Sequence, residues 1–374
     1  MPVIPVMEDM FRFADELGPR KVLHISLREP ALRAVVAVDN TACGAAIGGV
    51  RMAPDVSTEE AVRLARAMTL KNAAAGLPHG GGKSVIRADP KMPLRDKELL
   101  IRAFAAAIAD LTEYIPGPDM GTDEMAMGWV HDEIGRAVGL PGELGGIPLD
   151  ELGATGFGLA AAIDVACTAI GLALKGARVA IQGFGAVGKH TARFLARKGC
   201  VLVACSDSRG TLSSAKGLDV AKLVSLKESG KSVVDFLEGE KTDPDGIVDV
   251  PCDIWVPAAR PDVLTRENAD RLKARIVAQG ANIPCTPEAE AILQRSGVLL
   301  LPDFVVNAGG VICAAAEYHG STESAAFATI EEKIRQNTAL VIERSRSSGV
   351  STREAAIALA TDRIRNAQRI RRWR

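Results

Sequence analysis

The spacing of apolar residues in the first third of the chain predicts helices packed on buried strands. One helical face with a period of 3.6 residues is formed by Ala61, Leu64, Ala65 and Met68. Ser57-Thr-Glu-Glu60 is a capping-box pattern, so this helix is expected to begin there and to end near Ala75, before Gly76. Further helices are predicted at residues 10–18, 94–111 and 123–138, with strands at residues 32–38 and just after Lys83.

The second half of the chain alternates short apolar runs with helical patterns. Helices are predicted at residues 155–171, 186–198, 324–347 and 351–369. Buried strands are predicted at residues 177–181, 200–206, 254–257, 276–279 and 298–301. Strands that alternate with helices are typical of an open parallel sheet. The segment 139–146 is rich in glycine and proline and is predicted to connect two domains.

Composition narrows the classes of function. The 374 residues hold 45 Lys and Arg against 46 Asp and Glu, so the overall charge gives no reason to expect nucleic acid or membrane binding. The N-terminus lacks the pattern of a signal peptide, and the seven scattered cysteines are expected to be reduced, which together predict a cytoplasmic protein. The five histidines show no metal-ligand spacing, so no metal site is expected.

A dinucleotide fingerprint follows the predicted strand 177–181. Its residues are Gly183, Phe184, Gly185, Ala186, Val187 and Gly188. Glycines here allow a tight turn and a close approach of pyrophosphate to the N-terminus of the next helix. Asp207 ends the following strand and would accept hydrogen bonds from ribose hydroxyls, which favours NAD, whereas Arg209 could meet the 2′-phosphate of NADP. The alternative interpretation is a structural glycine turn without a ligand.

Two lysines and an aspartate stand out before this fingerprint. Lys71 continues the apolar face of its helix, so its ammonium is expected either to meet an anion or to extend to solvent at the helix end. Lys83 follows three glycines, but the spacing differs from a phosphate loop, and the glycines indicate a bulky ligand close to the backbone. Burial would lower the pKa of such a lysine and make it a base near neutrality. Asp119 lies in a loop made rigid by Pro116 and Pro118.

These segments, in their order and spacing, resemble the glutamate/leucine/phenylalanine/valine dehydrogenases, which are NAD(P)-dependent L-amino acid dehydrogenases. The matching segments are Gly48–Met52, Met68–Gly76, Gly80–Ile86, Pro118–Thr122, Ala154–Gly158, Gly183–Gly188, Gln279–Glu288 and Val306–Val311. The resemblance covers nearly the whole chain. It implies an α/β fold with two domains, an N-terminal α/β substrate domain and a Rossmann-type doubly wound dinucleotide-binding domain, with the active site in the cleft.

The resemblance also implies roles for matching residues. Lys83 and Asp119 would be catalytic, with the lysine activating water and the aspartate moving a proton to and from the amino group. Lys71 would bind the substrate α-carboxylate, and Gly49 would belong to the same substrate site. Thr155, Asn282 and Asn307 would lie beside the nicotinamide and the substrate. Residues 1–143 and 325–374 would form the substrate and oligomerisation domain, residues 144–324 the NAD(P)-binding domain, and the chain would form a homo-oligomer.

The side-chain pocket departs from the glutamate type. Glutamate-specific members carry a lysine at the position matched to Val62 and a serine at the position matched to Ala314. An apolar pair cannot solvate a buried carboxylate. We therefore expect an apolar or branched-chain substrate of the leucine or valine type, with glutamate as the alternative, because segment 280–288 is of the glutamate type.

Two other classes of function remain open at this point. A non-catalytic regulatory subunit on the same fold would be expected to lack Lys83 or Asp119, and both are present. The segment 363–374 holds six arginines and could bind nucleic acid. We favour a solvated helix end or a subunit contact for this segment, because cations suit a helix C-terminus.

Overall fold

A computed structural model describes residues 11–371, which form two compact mixed α/β units. Of the described residues, the first unit contains 11–73, 77–147 and 361–371. The second contains residues 74–76 and 148–360. The predicted two-domain α/β architecture with a Rossmann-type second domain is confirmed. The units divide the chain differently from the predicted domains, since residues 144–147 lie in the first unit and residues 74–76 and 325–360 in the second.

The first unit is a five-stranded sheet covered by helices on both faces. Its elements are β1 (Lys21–Ser26), β2 (Arg33–Asn40), β3 (Ala46–Ala53), α1 (Thr58–Ala74), β4 (Gly80–Arg87), α2 (Leu94–Ala107), β5 (Tyr114–Pro118) and α3 (Glu124–Ile134). The strand order is β1-β2-β4-β3-β5, in which β3 runs parallel to both β4 and β5. Helices α2 and α3 pack their apolar residues on one face of the sheet, and α1 packs on the other.

Two strands of this sheet lie where the sequence indicated irregular structure. β3 contains Gly48 and Gly49, and β5 contains Pro116 and Pro118. β5 is an edge strand, where proline is tolerated because one side of the backbone needs no ladder hydrogen bonds. The predicted opening helix at residues 10–18 is wrong for the described part, since residues 11–18 form turns and bends; residue 10 lies outside the described residues.

The second unit is a seven-stranded sheet flanked by helices. Its elements are α4 (Leu149–Leu152), α5 (Ala154–Ala169), β6 (Arg178–Gln182), α6 (Ala186–Arg197), β7 (Val201–Asp207), β8 (Gly210–Ser213), α7 (Val220–Glu228), β9 (Glu240–Thr242), β10 (Ile254–Pro257), β11 (Ile276–Ala278), α8 (Pro287–Arg295), β12 (Leu299–Leu301), α9 (Asp303–Val306), α10 (Gly309–Tyr318), α11 (Glu323–Ser348) and the start of α12 (Thr352–Ile370).

The strand order of this sheet is β12-β11-β10-β6-β7-β8-β9, and the first five strands are parallel. After β6 the chain builds outward through β7, then returns to the other side of β6 with β10. Loops that leave β6 and β10 therefore diverge at their carboxyl ends, where open α/β sheets bind their ligands.

Helix α11 belongs to the second unit because it packs along α5. The Phe327 ring lies 5.0 Å from the Phe157 ring, and Arg335 Nη1 lies 2.7 Å from Asp164 Oδ2. Among the described residues, the segment Leu149–Ala169 is long and apolar enough to cross a membrane, but most of it is buried inside the unit. Such burial is typical of a core helix.

Candidate active site

Lys83 and Asp119 meet in the first unit. Lys83 lies in the middle of β4, and Asp119 immediately follows β5. Strand β3 lies between these two strands in the sheet. Lys83 Nζ lies 2.9 Å from Asp119 Oδ1, and the lysine is only 4% exposed. A lysine and an aspartate 36 residues apart in the sequence therefore form one buried ion pair.

Arg51 is a member of this cluster that the sequence analysis did not single out. Arg51 lies in β3. Its Nε is 2.7 Å from Asp119 Oδ2, and its Nη1 is 2.5 Å from Glu60 Oε1. Asp119 thus has a cation on each carboxylate oxygen. Arg51 lies in the segment Gly48–Met52 used for the family match, so its position was visible, but nothing in the sequence named its partners.

Burial and charge set the protonation of this cluster. Burial lowers the pKa of Lys83, and the nearby Asp119 carboxylate only partly opposes this effect. Burial alone would raise the pKa of Asp119, but Lys83 and Arg51 more than offset it and hold this pKa below its usual value. The arrangement therefore favours an ionised aspartate beside a lysine that loses its proton more readily than usual.

Gly49 makes the close approach of these groups sterically feasible. A Cβ at this position would lie 2.7 Å from Asp119 Cβ and 3.1 Å from Lys83 Nζ. Real Cβ atoms do not approach that closely, so only glycine leaves the space that both side chains occupy.

The three glycines before Lys83 serve packing within the first unit, and the expectation that they admit a bulky ligand is wrong. A Cβ at Gly81 would lie 2.0 Å from the backbone nitrogen of Thr69 on α1, and one at Gly82 would lie 2.8 Å from the Tyr114 ring. A Cβ at Gly80 would lie 1.7 Å from the carbonyl oxygen of Asn40. α1 and the Tyr114 ring therefore press on opposite faces of β4 just before Lys83.

The loop that carries Asp119 is fixed by hydrogen bonds of the Thr122 hydroxyl. The Asp119 N–H donates to Thr122 Oγ1 (3.0 Å), and the Thr122 hydroxyl donates to the Val50 carbonyl (2.7 Å). Asp123 caps α3 by accepting from the Ala126 N–H. Since Asp123 provides the cap, the Asp119 carboxylate remains available for Lys83 and Arg51.

Lys71 lies in the last turn of α1 and is half-buried. Leu64, Met68 and Lys71 are all half-buried, so Lys71 continues the predicted stripe along the edge of the fully buried face of α1, which passes through Ala65, Thr69 and Asn72. The fully buried face was not evident from the sequence because it includes polar residues. One of them, Asn72, donates a hydrogen bond to the Gly80 carbonyl (2.7 Å). Val62 is 7% exposed and lies in an apolar cluster between α1 and the sheet.

The fingerprint of the second unit divides into buried and exposed residues. Gly183 has a φ of +90° and would clash with Ala259 if it had a Cβ, and a Cβ at Gly188 would lie 2.0 Å from the Gly183 carbonyl. The N–H groups of Gly183 and Phe184 both donate to Ser206, and the Phe184 side chain is fully buried. These three residues shape the turn.

The exposed half of the fingerprint fits a dinucleotide. Gly185 and Ala186 are exposed, Val187 is half-buried, and a Cβ at Gly185 would meet nothing within 4 Å. Helix α6 begins here, so its first N–H groups lack partners within the helix and face open space at the carboxyl end of β6. Pyrophosphate suits such a position.

Asp207 ends β7 as predicted, but its carboxylate is already saturated. Oδ1 accepts from the Ser232 hydroxyl (2.8 Å) and the Arg209 N–H (3.0 Å), while Oδ2 accepts from Lys227 Nζ (2.8 Å) and the Val233 N–H (3.0 Å). Burial alone would raise the pKa of Asp207, but these donors lower it to about 2. Arg209 is exposed and pairs with Asp235.

The remaining predicted residues lie around the start of α10. Asn307 Nδ2 donates to Asn282 Oδ1 (3.0 Å), whereas Asn307 Oδ1 is buried and has no partner among residues 11–371. Thr155 lies at the start of α5, so close that a Cβ at Gly310 would be 3.3 Å from its hydroxyl. Ala314 lies further along α10 and is buried.

Comparison with known protein families accounts for both units. The family model described as Glutamate/Leucine/Phenylalanine/Valine dehydrogenase matches residues 145–372. The model described as the dimerisation domain of the Glu/Leu/Phe/Val dehydrogenases matches residues 23–136. The chain belongs to this dehydrogenase family. It is an amino acid dehydrogenase, an oxidoreductase that uses NAD or NADP.

Individual relatives in the dehydrogenase family cover most of the chain. The glutamate dehydrogenase of Aeropyrum pernix is 40% identical over 89% of this chain and 85% of its own length. The NADP-specific glutamate dehydrogenase of Saccharolobus shibatae is 35% identical over 89% and 83%. A crystal structure of hetero-hexameric glutamate dehydrogenase from Thermus thermophilus in its Leu-bound form superposes with a TM-score of 0.83, at 30% identity over 95% of this chain and 91% of that one.

Proposed function

We propose that this dehydrogenase catalyses the reversible oxidative deamination of L-glutamate to 2-oxoglutarate and ammonia. The single observation that carries the chemistry is the buried Lys83–Asp119 pair, with Nζ and Oδ1 2.9 Å apart. The choice of glutamate is supported by the relatives from Aeropyrum and Saccharolobus, whose names specify that substrate. The pair also argues against a non-catalytic regulatory subunit, because both side chains are held in contact.

Three residues of the first unit, Lys71, Lys83 and Asp119, each have a role in the proposed reaction. Lys71, half-buried at the end of α1, binds the substrate α-carboxylate. Lys83 in its neutral form takes a proton from the water that attacks the substrate iminium. Asp119, kept ionised by Lys83 and Arg51, accepts a proton from the amino group and returns it when ammonia leaves.

The second unit holds the coenzyme in this proposal. Gly185, Ala186 and Val187 would hold its pyrophosphate, and Thr155, Asn282 and Asn307 would hold its nicotinamide half. NAD or NADP held there would supply the acceptor for the hydride that leaves the substrate Cα. Asn307 Oδ1, buried without a described partner, is suited to accept a hydrogen bond from a ligand amide or ammonium.

The predicted leucine or valine preference loses part of its basis. It relied on apolar residues at positions 62 and 314, and Val62 belongs to the apolar cluster that includes Ala37, Ala65 and Val85. Core packing accounts for valine there without any reference to a substrate. Ala314 keeps its assignment to the substrate site only as a prediction.

A homo-oligomer is the proposed assembly, with the first unit as a contact surface. The match of residues 23–136 to a dimerisation domain supports this proposal. The Thermus relative is hetero-hexameric, so a second kind of subunit is the alternative. Light scattering on the purified chain tests the proposal, because a monomer at micromolar concentration would contradict self-association.

The substrate is tested by NAD(P)H formation at 340 nm with all twenty L-amino acids, using NAD and NADP separately. We expect glutamate to give the highest kcat/KM. A higher value for leucine, valine or another apolar amino acid would keep the reaction class and refute glutamate. Absence of turnover on the whole panel, with NADH binding intact, would refute the proposed function.

A further inference from the structure

The loop of residues 280–283 carries Asn282 at the carboxyl end of β11. Ile283 adopts a left-handed backbone conformation, with φ of +48°, which is unfavourable for a β-branched side chain. Its side chain is 54% exposed, so packing of that side chain does not hold the conformation. Hydrogen bonds hold the backbone instead: the Ile283 N–H donates to Asp303 Oδ2 at 2.8 Å, and the Ile283 carbonyl accepts from the Asp262 N–H at 3.0 Å.

Arg353, at the start of α12, lies behind this contact. Its Nη1 donates to Asp303 Oδ1 (3.0 Å) and its Nη2 to Gln279 Oε1 (2.8 Å). Its Nε and Nη2 also bind the Glu290 carboxylate at 2.8 and 2.7 Å. One planar guanidinium thereby fixes three side chains, which an ammonium could not do with the same geometry.

The fixed side chains lie at both ends of the loop, whose first two N–H groups also donate to the Pro257 carbonyl. Gln279 immediately precedes it, is fully buried, and donates through Nε2 to Glu290 (2.7 Å). Asp303 binds the last residue of the loop, and its side chain is 7% exposed. Between these anchors, Asn282 accepts from Asn307, whose Oδ1 is the buried acceptor without a described partner.

We propose that Arg353 is a positioning residue that holds loop 280–283 and, through it, the Asn282–Asn307 pair against the nicotinamide half of the coenzyme. The proposal rests on the proposed placement of the nicotinamide beside these asparagines. Arg353 itself does not touch the ligand, and the pyrophosphate position at Gly185–Val187 depends on a different loop. Its effect should therefore be confined to the nicotinamide half.

The test compares two ligands that differ in that half. Binding of NADH and of ADP-ribose, which lacks the nicotinamide, is measured on the full-length enzyme and on Arg353→Lys. If NADP is the coenzyme, NADPH and 2′-phospho-ADP-ribose are the pair. We expect NADH to bind about tenfold or more weakly, since small misplacements of positioning groups have effects of this order, and ADP-ribose to bind within about twofold of wild type.

Three further variants complete the design. Arg353→Ala should regain NADH affinity when guanidinium is added, which loss of stability alone would not produce. Arg335→Lys is the matched control, because Arg335 also pairs with an aspartate of the second unit, Asp164, but lies outside this network. Its NADH affinity should not change. If Arg353→Lys does not fold, Asp303→Asn carries the same expectation.

An equal loss of affinity for both ligands would overturn the proposal, because Arg353 would then act on the whole unit. Unchanged affinity for both ligands would overturn it as well. These binding constants do not depend on the amino acid oxidised. A failure of the glutamate assignment is thus distinguishable from a failure of this inference.

Discussion

Gly49→Ala should disable the enzyme without unfolding it. The new Cβ would lie 2.7 Å from Asp119 Cβ, 3.0 Å from the Pro118 carbonyl and 3.1 Å from Lys83 Nζ. To reach an ordinary contact of 3.4 Å, Asp119 Cβ must move by about 0.7 Å, and the backbone of β5 next to it must also yield. Overpacking of this kind costs about 1–3 kcal/mol of folding free energy. Misplacement of catalytic groups by up to an ångström costs on the order of 10²-fold in rate.

The assay is steady-state NAD(P)H formation with the best amino acid, together with thermal unfolding. We expect kcat to fall by about 10²-fold, with the KM for coenzyme unchanged because the fingerprint lies in the other unit. Gly142→Ala is the matched control, since a Cβ at Gly142 meets nothing within 4 Å. A kcat of Gly49→Ala within about threefold of the control would refute the view that Asp119 and Lys83 need this space.

Three further outcomes are expected. Lys83→Ala should lower kcat by about 10³-fold or more while NADH still binds, and near-normal turnover would remove Lys83 from the mechanism. In pH profiles, kcat should rise as Lys83 deprotonates. Asp119→Asn should move the midpoint of the residual activity to lower pH, because the Asp119 carboxylate raises the pKa of Lys83. Arg51→Gln should move this midpoint to higher pH, because the Arg51 guanidinium lowers the same pKa. Shifts of the same sign in both variants would contradict this electrostatic account. The folded-state pKa of Asp207, about 2, lies below the usual value near 4, so its stabilisation is present at neutral pH and is lost as pH falls toward 2. Urea unfolding of Asp207→Asn should accordingly lack part of the wild-type loss of stability between pH 6 and pH 3.

Helices and buried strands with regular apolar spacing were predictable from the sequence. α1, α5 and α6 lie within about two residues of their predicted bounds, because each combines a periodic apolar face with a recognisable start or stop. β3 and β5 were not predicted, since glycine and proline are rare in strands. Contacts that are distant in sequence explain these residues. Gly49 leaves the space that the Asp119 side chain occupies, and the prolines of β5 are tolerated because this strand lies at the edge of the sheet.

The residues of the proposed site could be selected from the sequence, but the network that joins them could not. Lys83 and Asp119 could be selected by position and motif, and the structure brings them into contact. Arg51 and Arg353 are ordinary arginines in the sequence, and only the fold places each beside two carboxylates. For Arg353 the local pattern Ser351-Thr-Arg-Glu354 indicates only a helix start, which it is, since the Ser351 N–H donates to Glu354. Its partners Asp303 and Gln279 are 50 and 74 residues away in the sequence, so no periodic sequence pattern indicates these contacts.

The charges around Asp119 explain why a lysine here can work as a base. Lys83 and Arg51 against Asp119 and Glu60 make a balanced set of two cations and two carboxylates. With Arg51 bound to both carboxylates, Asp119 keeps a cationic partner when Lys83 gives up its proton, so the aspartate stays ionised in either state. Burial, meanwhile, favours the neutral form of Lys83. Arg51 thus separates the protonation of the two proposed catalytic groups, and without Arg51 the two groups would be expected to titrate as a coupled pair.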